Sequence, residues 1–201
     1  PEVGLNGART SFFHHSIGGY HAAKPRKLQE LFDYQFKEGN IKVLNWLNVK
    51  YLIVRNEKNQ VTHILNDEAL GNAWFVNQVI RKANDDEVMS ELRNFDPATE
   101  VVVNNKEVKA VFPLQYSADS TATIQLKSYA PDALVYESNN AHDGFAVFSE
   151  MYYPHGWQAT IDGKPAKFYP VDYLLRGMPI PAGKHTIKFS FEPEVVTIGS
   201  Y

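Results

Sequence analysis

Three histidines, His14, His15 and His21, lie within a short stretch near the start of the chain. Imidazole nitrogens are good ligands for zinc and copper, so this group could in principle bind a divalent metal. The spacing matches no helical ligand pair, however, and no carboxylate lies nearby in the sequence. We therefore predict no metal site and no cofactor for this chain.

The same stretch offers a second chemistry, the binding of an anion at the start of a helix. Free backbone N–H groups and the positive end of the helix dipole favour a phosphate or a uronate there. The candidate contacts are two adjacent glycines and the polar residues that follow them: Gly18, Gly19, His21, Lys24 and Arg26. An alternative stays open, in which the glycines form a turn and the basic residues are solvated at the helix terminus.

An aromatic segment near the other end of the chain could bind a sugar. The apolar C–H face of a pyranose stacks on aromatic rings, whereas its hydroxyl groups need directed polar partners. The candidate glycan contacts are Tyr152, Tyr153, His155, Trp157, Tyr169, Tyr173 and Arg176. The same rings could instead fill the core of a β-sandwich, where a buried Trp and several Tyr are common.

Acidic residues cluster at Asp85, Asp86, Glu87 and Glu91. Catalytic carboxylates must converge on a pocket, whereas acids at a helix start are already explained by the helix dipole. We interpret this cluster as structural. The sequence also lacks a G-x-S-x-G elbow, a P-loop, an H-E-x-x-H motif and an EF-hand loop. No catalytic residue is therefore predicted.

The composition excludes several classes of protein. Of 201 residues, 44% are hydrophobic and 21% charged, which is typical of a globular protein rather than a disordered one. A formal net charge of −3 provides no basic footprint for nucleic acid. The absence of cysteine rules out disulfides, thiolate metal sites and cysteine nucleophiles. Aromatic residues are abundant at 13%, so some of them are available for binding as well as for packing.

The first half of the chain alternates between helix and strand patterns. Residues 25–36, 41–47 and 85–95 have apolar side chains at three- and four-residue spacing, which predicts three helices. Asn84 is a candidate N-cap for the third, with Glu87 in the capping-box position. The β-branched run at 49–54 predicts a buried strand, and 73–80 predicts another strand.

From residue 101 onward the apolar pattern has a period of two. Eight short runs are predicted as strands: 101–103, 121–129, 134–138, 145–151, 157–161, 167–169, 173–175 and 185–191. Turn signals such as Asp143-Gly144, Asp162-Gly163 and Ala182-Gly183 separate them. In the last run, Ile187 and Phe189 alternate with polar residues, so one face of this strand lies on a core.

These patterns predict an α+β protein with two parts. Residues 1–112 form a small mixed α/β part that begins with an irregular arm. Residues 113–201 form an antiparallel β-sandwich of the jelly-roll or immunoglobulin-like type. The chain begins at Pro1, contains no apolar run long enough to span a membrane, and stops directly after a strand-like stretch. We therefore interpret it as a soluble piece of a longer protein.

Five segments have a more distinctive sequence. They are GGYHAAKPRKLQ at 18–29, VLNWLNVKYLI at 43–53, ALGNAWFV at 69–76, FSEMYYPHGW at 148–157 and PAGKHTI at 181–187. Together with Asp162-Gly163 and Leu174-Leu175-Arg176, they resemble the large extracytoplasmic region of the YfhO family of bacterial integral membrane proteins. The likeness extends from about Ser11 to Glu192.

This resemblance implies a polytopic protein similar to glycosyltransferases that use lipid-linked sugars on the outer side of the membrane. Some members are associated with glycosylating cell-surface polymers such as teichoic acid. Their catalytic acids are expected on loops near the membrane helices, outside this chain. The implied role is therefore that of a non-catalytic domain on the extracytoplasmic face of the bacterial cytoplasmic membrane. It would help to bind or position a glycan acceptor, with a cell-envelope glycan or lipid-linked sugar and the adjoining membrane helices as partners.

Two other functions stay open. A structural or protein-interaction module that packs on its own membrane helices predicts an exposed apolar patch and no ligand pocket. A free-standing hydrolase predicts convergent carboxylates or a nucleophile–base pair in a cleft.

Overall fold

A computed structural model describes residues 15–18 and 25–193 of the chain. The chain divides into two compact units, Pro1–Gly71 and Asn72–Tyr201. This division differs from the predicted boundary after residue 112. Among the described residues, no helix combines the length and the apolar character needed to cross a membrane.

The first unit contains two short helices and a β-hairpin. Helix α1 (Arg26–Leu31) continues into a π-helical turn (Phe32–Phe36), and α2 spans Val43–Trp46. Strand β1 (Tyr51–Arg55) pairs antiparallel with β2 (Val61–Leu65). Both predicted helices are present. The predicted strand at 49–54 is also present, but the prediction that it is buried is wrong, because its only partner in the described chain is a fully exposed strand.

The second unit holds the other described elements. In chain order they are β3 (Ala73–Val76), β4 (Gln78–Lys82), α3 (Asp85–Glu91), β5 (Glu100–Asn104), β6 (Thr123–Ala130), β7 (Ala133–Asn140), β8 (Gly144–Met151), β9 (Trp157–Ile161), β10 (Lys164–Ala166), β11 (Tyr169–Val171), β12 (Leu175–Ile180) and β13 (Gly183–Phe191). This unit is built mostly of antiparallel strands, as the period-two pattern predicts.

Two antiparallel sheets in this unit share one core. One sheet has the strand order β10-β9-β13-β7-β6, and the other has the order β11-β12-β8-β3. Side chains from both sheets form a single buried cluster that includes Tyr136, Phe148, Met178, Ile187 and Phe189. Ile187 and Phe189 are buried as the alternation in β13 predicts. The jelly-roll or immunoglobulin-like connectivity stays a prediction.

Three of the eight predicted runs differ in the structure. The run at 101–103 does lie in a strand, β5, but that strand pairs parallel with β4 and lies outside both antiparallel sheets. Strands β11 and β12 each begin two residues later than predicted. For β12 the reason is that Asp172 and Tyr173 form a loop before it, with φ angles of 47° and 71°. Residues other than glycine rarely adopt this left-handed conformation, so the sequence gives no sign of the loop. Strand β10 was not predicted.

A small β–α–β unit, formed by β4, α3 and β5, contacts the four-stranded sheet, with β5 next to β11. Its helix α3 begins at the predicted capping box: Asn84 Oδ1 accepts a hydrogen bond from the Glu87 N–H at 3.0 Å, and Glu87 Oε2 accepts one from the Ala83 N–H at 3.0 Å. On the sheet, Trp74 Nε1 donates to the Pro97 carbonyl at 2.8 Å. The mixed part beyond residue 72 is therefore joined to the antiparallel sheets.

A buried carboxyl group also links β5 to the β11–β12 loop. Asp172 Oδ1 accepts a hydrogen bond from the Val102 N–H at 2.8 Å, and the Asp172 N–H donates to the Val102 carbonyl at 2.8 Å. Asp172 is fully buried. This burial raises the pKa of Asp172 to about 8, although the hydrogen bond from Val102 opposes the shift. At neutral pH the side chain is therefore mostly the neutral acid.

The predicted turns fall into two types. Asp162-Gly163 forms a two-residue hairpin between β9 and β10, with both φ angles positive as a type I′ turn requires. The Asp143-Gly144 and Ala182-Gly183 signals instead precede strands that lie in the opposite sheet from the strand before them. A residue followed by glycine therefore forms a hairpin turn at Asp162-Gly163 but precedes a crossing between the two sheets at Asp143-Gly144 and Ala182-Gly183.

Candidate functional site

A shallow cleft of about 320 Å³ lies beside strands β9 and β10. The Asp162-Gly163 turn pairs β10 with β9, which brings residues 165–169 close to residues 157–159. The residues that line the cleft include Trp157, Gln158, Pro165, Lys167, Phe168 and Tyr169, and of these Trp157 and Phe168 also pack against the buried core cluster. The residues around the cleft thus include three aromatic side chains, an amide and an ammonium group, and groups of these types can stack on an apolar surface and donate hydrogen bonds.

Trp157 is held in place by two neighbours. The guanidinium carbon of Arg176 lies 4.2 Å from the centroid of the Trp157 ring, and the Phe191 ring lies 5.4 Å from it. A cation over an indole face is attracted by the ring quadrupole. The ring is therefore already positioned at the cleft, which lowers the cost of ordering it on binding.

Arg176 itself is only 3% exposed. Its Nε donates to the Met151 carbonyl at 3.0 Å, and its guanidinium carbon lies 5.3 Å from the Phe189 ring centroid. Nη1 is buried and has no hydrogen-bond partner in the described part of the chain. Burial lowers the pKa of Arg176, while Glu150 opposes that shift; the guanidinium keeps its charge at physiological pH. Arg176 is therefore buried against the Trp157, Phe168 and Phe189 rings and does not itself line the cleft.

Tyr169 and Tyr152 lie at or beside the cleft. Tyr169 lines it and also contacts Phe112, with the ring centroids 5.5 Å apart. Tyr152 packs edge-on against Phe168 at 5.5 Å, and burial raises its pKa, with a smaller contribution from Glu107. These two tyrosines therefore belong to the same aromatic group as Trp157.

The other aromatic candidates lie outside the cleft lining. Tyr153 and His155 are exposed and contact each other, with ring centroids 5.7 Å apart. Tyr173 lies in the β11–β12 loop. Of the seven predicted glycan contacts, Trp157 and Tyr169 line the cleft, while Tyr152 contacts Phe168 and Arg176 contacts Trp157.

Six of the residues that line the cleft were not predicted from the sequence: Gln158, Ala159, Pro165, Ala166, Lys167 and Phe168. Phe168 could have been found, because it is an aromatic residue directly before the candidate Tyr169. The others have ordinary types, and the pairing of β10 with β9 is what brings Pro165 and Lys167 close to Trp157 and Gln158.

The predicted anion contacts are only partly described. The Gly18 N–H donates to Ser16 Oγ at 3.1 Å, and Arg26 Nε forms an ion pair with Glu30 at 2.8 Å. Gly19, His21 and Lys24 lie outside the described residues. Within residues 15–18 and 25–193, no group of three or more His, Asp or Glu side chains could hold a metal ion.

Gly156, directly before Trp157, is expected to be sensitive to substitution. Its φ is +84°, and a Cβ there would lie 2.7 Å from the Phe191 ring. Gly156→Ala should therefore displace Phe191 from Trp157 and lower the free energy of unfolding by about 2–3 kcal/mol, measured by urea denaturation.

Gly163→Ala is the matched control for this change. Gly163 also has a positive φ, of 76°, but a Cβ there would have nothing within 4 Å. Gly163→Ala should lower the free energy of unfolding only by the cost of a Cβ at positive φ, about 1 kcal/mol. Equal losses in the two variants would show that the contact with Phe191 is unimportant.

Comparison with known proteins agrees with the sequence resemblance for the C-terminal part of the chain. Residues 113–201 match the family model described as bacterial membrane protein YfhO. No curated protein and no solved structure matches the chain. The match confirms the resemblance to the YfhO family of bacterial membrane proteins over residues 113–201, which include every residue that lines the cleft.

Proposed function

We propose that this chain is a non-catalytic extracytoplasmic domain of a membrane-embedded, glycosyltransferase-like protein, and that it helps to bind or position a glycan acceptor. The family match supports its origin in a membrane protein. The observation that carries the binding role is the cleft lined by Trp157, Phe168 and Tyr169. Gln158 and Lys167 supply polar groups at the same place.

The dimensions of the cleft fit one sugar unit of a longer polymer. Its volume of about 320 Å³ is at the small end of the range for ligand sites. A shallow site of this kind contacts one face of a single pyranose, and the glycan polymer can extend from both sides of that sugar unit. Few contacts are made, so the expected affinity for a single glycan segment is weak, on the order of millimolar.

NMR titration of the whole chain with a panel of cell-envelope glycans tests this proposal. Binding should shift the indole N–H of Trp157 and the backbone amides of Gln158 and Lys167. Gln158→Ala and Lys167→Ala change exposed side chains, so the protein should stay folded while binding weakens several-fold. Trp157→Ala should weaken binding by about tenfold, because it removes the stacking surface.

Tyr153→Ala is the control for these variants. Tyr153 is an exposed aromatic residue that does not line the cleft, so its loss should leave the affinity unchanged. The binding role is contradicted if no glycan in the panel produces shifts at the cleft. A Trp157→Ala protein that binds as tightly as the wild type would contradict it equally.

Enzyme assays test the non-catalytic part of the proposal. The isolated chain should show no glycosidase or esterase turnover with chromogenic substrates. Measurable turnover that copurifies with the chain would instead support the hydrolase alternative.

A further inference from the structure

A second cleft, with a volume of about 270 Å³, lies beside the first one, the cleft that Trp157 lines, on the β9–β10 hairpin. The two clefts share Pro165 and Ala166 of strand β10 as lining residues. The first cleft lies where the chain leaves β10, and the second lies at the hairpin turn, where Asp162 and Lys164 line it. The two clefts therefore follow one another along the same strand.

The second cleft is small for a ligand of its own. Sites for small molecules usually enclose about 300–1,000 Å³. The second cleft falls below that range, and the first lies at its lower end. Neighbouring clefts with shared lining residues can instead take consecutive parts of one longer molecule. The volumes thus favour a single extended ligand over two independent ones.

The spacing of the clefts along β9 fits a ligand of more than one sugar unit. Trp157 lines the first cleft, and Ile161 lines the second. A strand rises about 3.3 Å per residue, so these two residues lie about 13 Å apart along β9. A monosaccharide is shorter than this distance, whereas an oligosaccharide can contact both places.

Strand β10 leaves its outer edge open between the two clefts. It pairs with β9 on one side, and no strand in the described part of the chain pairs with its other side. Lys164 and Pro165 on this strand are exposed. Proline lacks a backbone N–H, and lysine and proline on an edge strand oppose the addition of another strand. The edge is therefore unsuited to an extended peptide, whereas a glycan can lie along it without strand pairing.

The residues around the second cleft are of types that contact sugars. Pro165 and Pro181 are exposed apolar residues that the C–H face of a sugar ring can contact. Asp162 and Lys164 carry an acceptor and a donor for hydroxyl groups. A site of this kind combines apolar surface with a few polar groups that orient the ligand.

Asp162 is fixed in place before any ligand binds. Its Oδ1 accepts a hydrogen bond from the Thr186 N–H at 2.9 Å, and its Oδ2 lies 2.7 Å from His185 Nδ1. The Asp162 side chain is still 49% exposed. A carboxylate has about four acceptor sites, so it can also accept hydrogen bonds from a ligand hydroxyl. Because the group is already held, less conformational entropy is lost on binding.

We infer that the second cleft binds the continuation of the glycan whose sugar unit occupies the first cleft. The ligand of this site is then an oligosaccharide or a polymer rather than a single sugar. This inference rests on the proposed function and names the class of its ligand. It adds Asp162 and Lys164 to the binding surface.

NMR titration of the full chain with glycans of increasing length tests the inference. The probes are N-acetylglucosamine and glucose, each as the monosaccharide, the disaccharide and the tetrasaccharide. The monosaccharide should shift only signals of the first cleft, such as the Trp157 indole N–H. The tetrasaccharide should also shift the backbone amides of Lys164 and His185. It should bind at least about tenfold more tightly, because its second contact is intramolecular.

Three lysine variants separate the two clefts. Lys164→Ala should weaken tetrasaccharide binding several-fold and leave monosaccharide binding unchanged, because Lys164 lines only the second cleft. Lys167→Ala, in the first cleft, should weaken the binding of both. Lys184→Ala is the matched control, since Lys184 is exposed beside His185 but lines neither cleft. Circular dichroism should show all three variants folded, because each altered side chain is exposed.

Two results would overturn this inference and leave the proposed function intact. The first is tetrasaccharide binding that shifts only first-cleft signals and is no tighter than monosaccharide binding. The second is a Lys164→Ala protein that binds the tetrasaccharide as tightly as the wild type. The absence of shifts at Trp157 with every probe would instead contradict the proposed function, and this inference with it.

Discussion

The free energy of unfolding is expected to fall as the pH rises from about 5 toward 8, by up to about 1.4 kcal/mol per pH unit, and Asp172→Asn is expected to remove this fall. Burial raises the pKa of Asp172 from 3.8 to about 8 in the folded chain. Its Oδ1 accepts one hydrogen bond from Val102, and its Oδ2 has no partner among the described residues. One hydrogen bond does not offset the desolvation of a carboxylate.

The sign follows from proton binding. The unfolded carboxyl group loses its proton near pH 3.8, whereas the folded one keeps it until about pH 8. Between pH 3.8 and about pH 8 the folded state binds more protons than the unfolded state, so the free energy of unfolding falls as the pH rises. An asparagine keeps the acceptor for Val102 and never ionises. Urea denaturation of both proteins across this pH range measures the difference.

His185 provides the necessary control, since it contributes to the same fall. Its Nδ1 lies 2.7 Å from Asp162 Oδ2 and its Nε2 lies 3.1 Å from the Ala182 carbonyl oxygen. The hydrogen bond with Asp162 raises the pKa of His185, so its stabilising contribution is lost as the pH rises through that pKa. Asp172→Asn should therefore be measured in a His185→Asn background. A pH slope unchanged by Asp172→Asn in this background would contradict the prediction.

Phe148→Ala and Phe189→Ala are each expected to lower the free energy of unfolding by about 3–5 kcal/mol. Both side chains are fully buried, and they come from different sheets. Their ring centroids lie 5.0 Å apart in an edge-to-face arrangement, and Tyr136 contacts both rings. The double variant should lose about 1 kcal/mol less than the sum of the two single losses, because the contact can be lost only once.

A double-mutant cycle by urea denaturation measures this coupling. The matched control pairs Phe148 with Phe95, which is buried but lies outside the core that Phe148 and Phe189 share. The decreases in unfolding free energy caused by Phe148→Ala and Phe95→Ala should be additive. Additive losses for Phe148 and Phe189 would show that the two sheets do not stabilise each other through this contact.

Features that depend on a few neighbouring residues could be predicted from the sequence. The capping box of Asn84 and Glu87, the Asp162-Gly163 hairpin and the alternation of Ile187 and Phe189 in β13 are all confirmed. Each of these features is caused by residues close together in the sequence. A side chain caps its own helix, a short turn requires positive φ angles, or one face of a strand is exposed to solvent.

Features that depend on distant partners could not be predicted. The sequence does not show that β3 pairs with β8, more than 60 residues away, or that β4 and β5 pair in parallel. The candidate site could be predicted only in part for the same reason. Trp157 and Tyr169 are recognisable by residue type, but Pro165 and Lys167 come close to Trp157 only because β10 folds back on β9.

The aromatic surplus shows the same division between sequence and structure. The sequence by itself determined that the chain carries more rings than usual, and which strands hold many of them. Only the tertiary structure decided that Phe148 and Phe189 fill a core and that Trp157 borders a cleft. It also decided that Arg176 lies buried behind Trp157 rather than on the surface. The physical reason is that burial depends on which strands meet, and non-local pairing sets this rather than residue type.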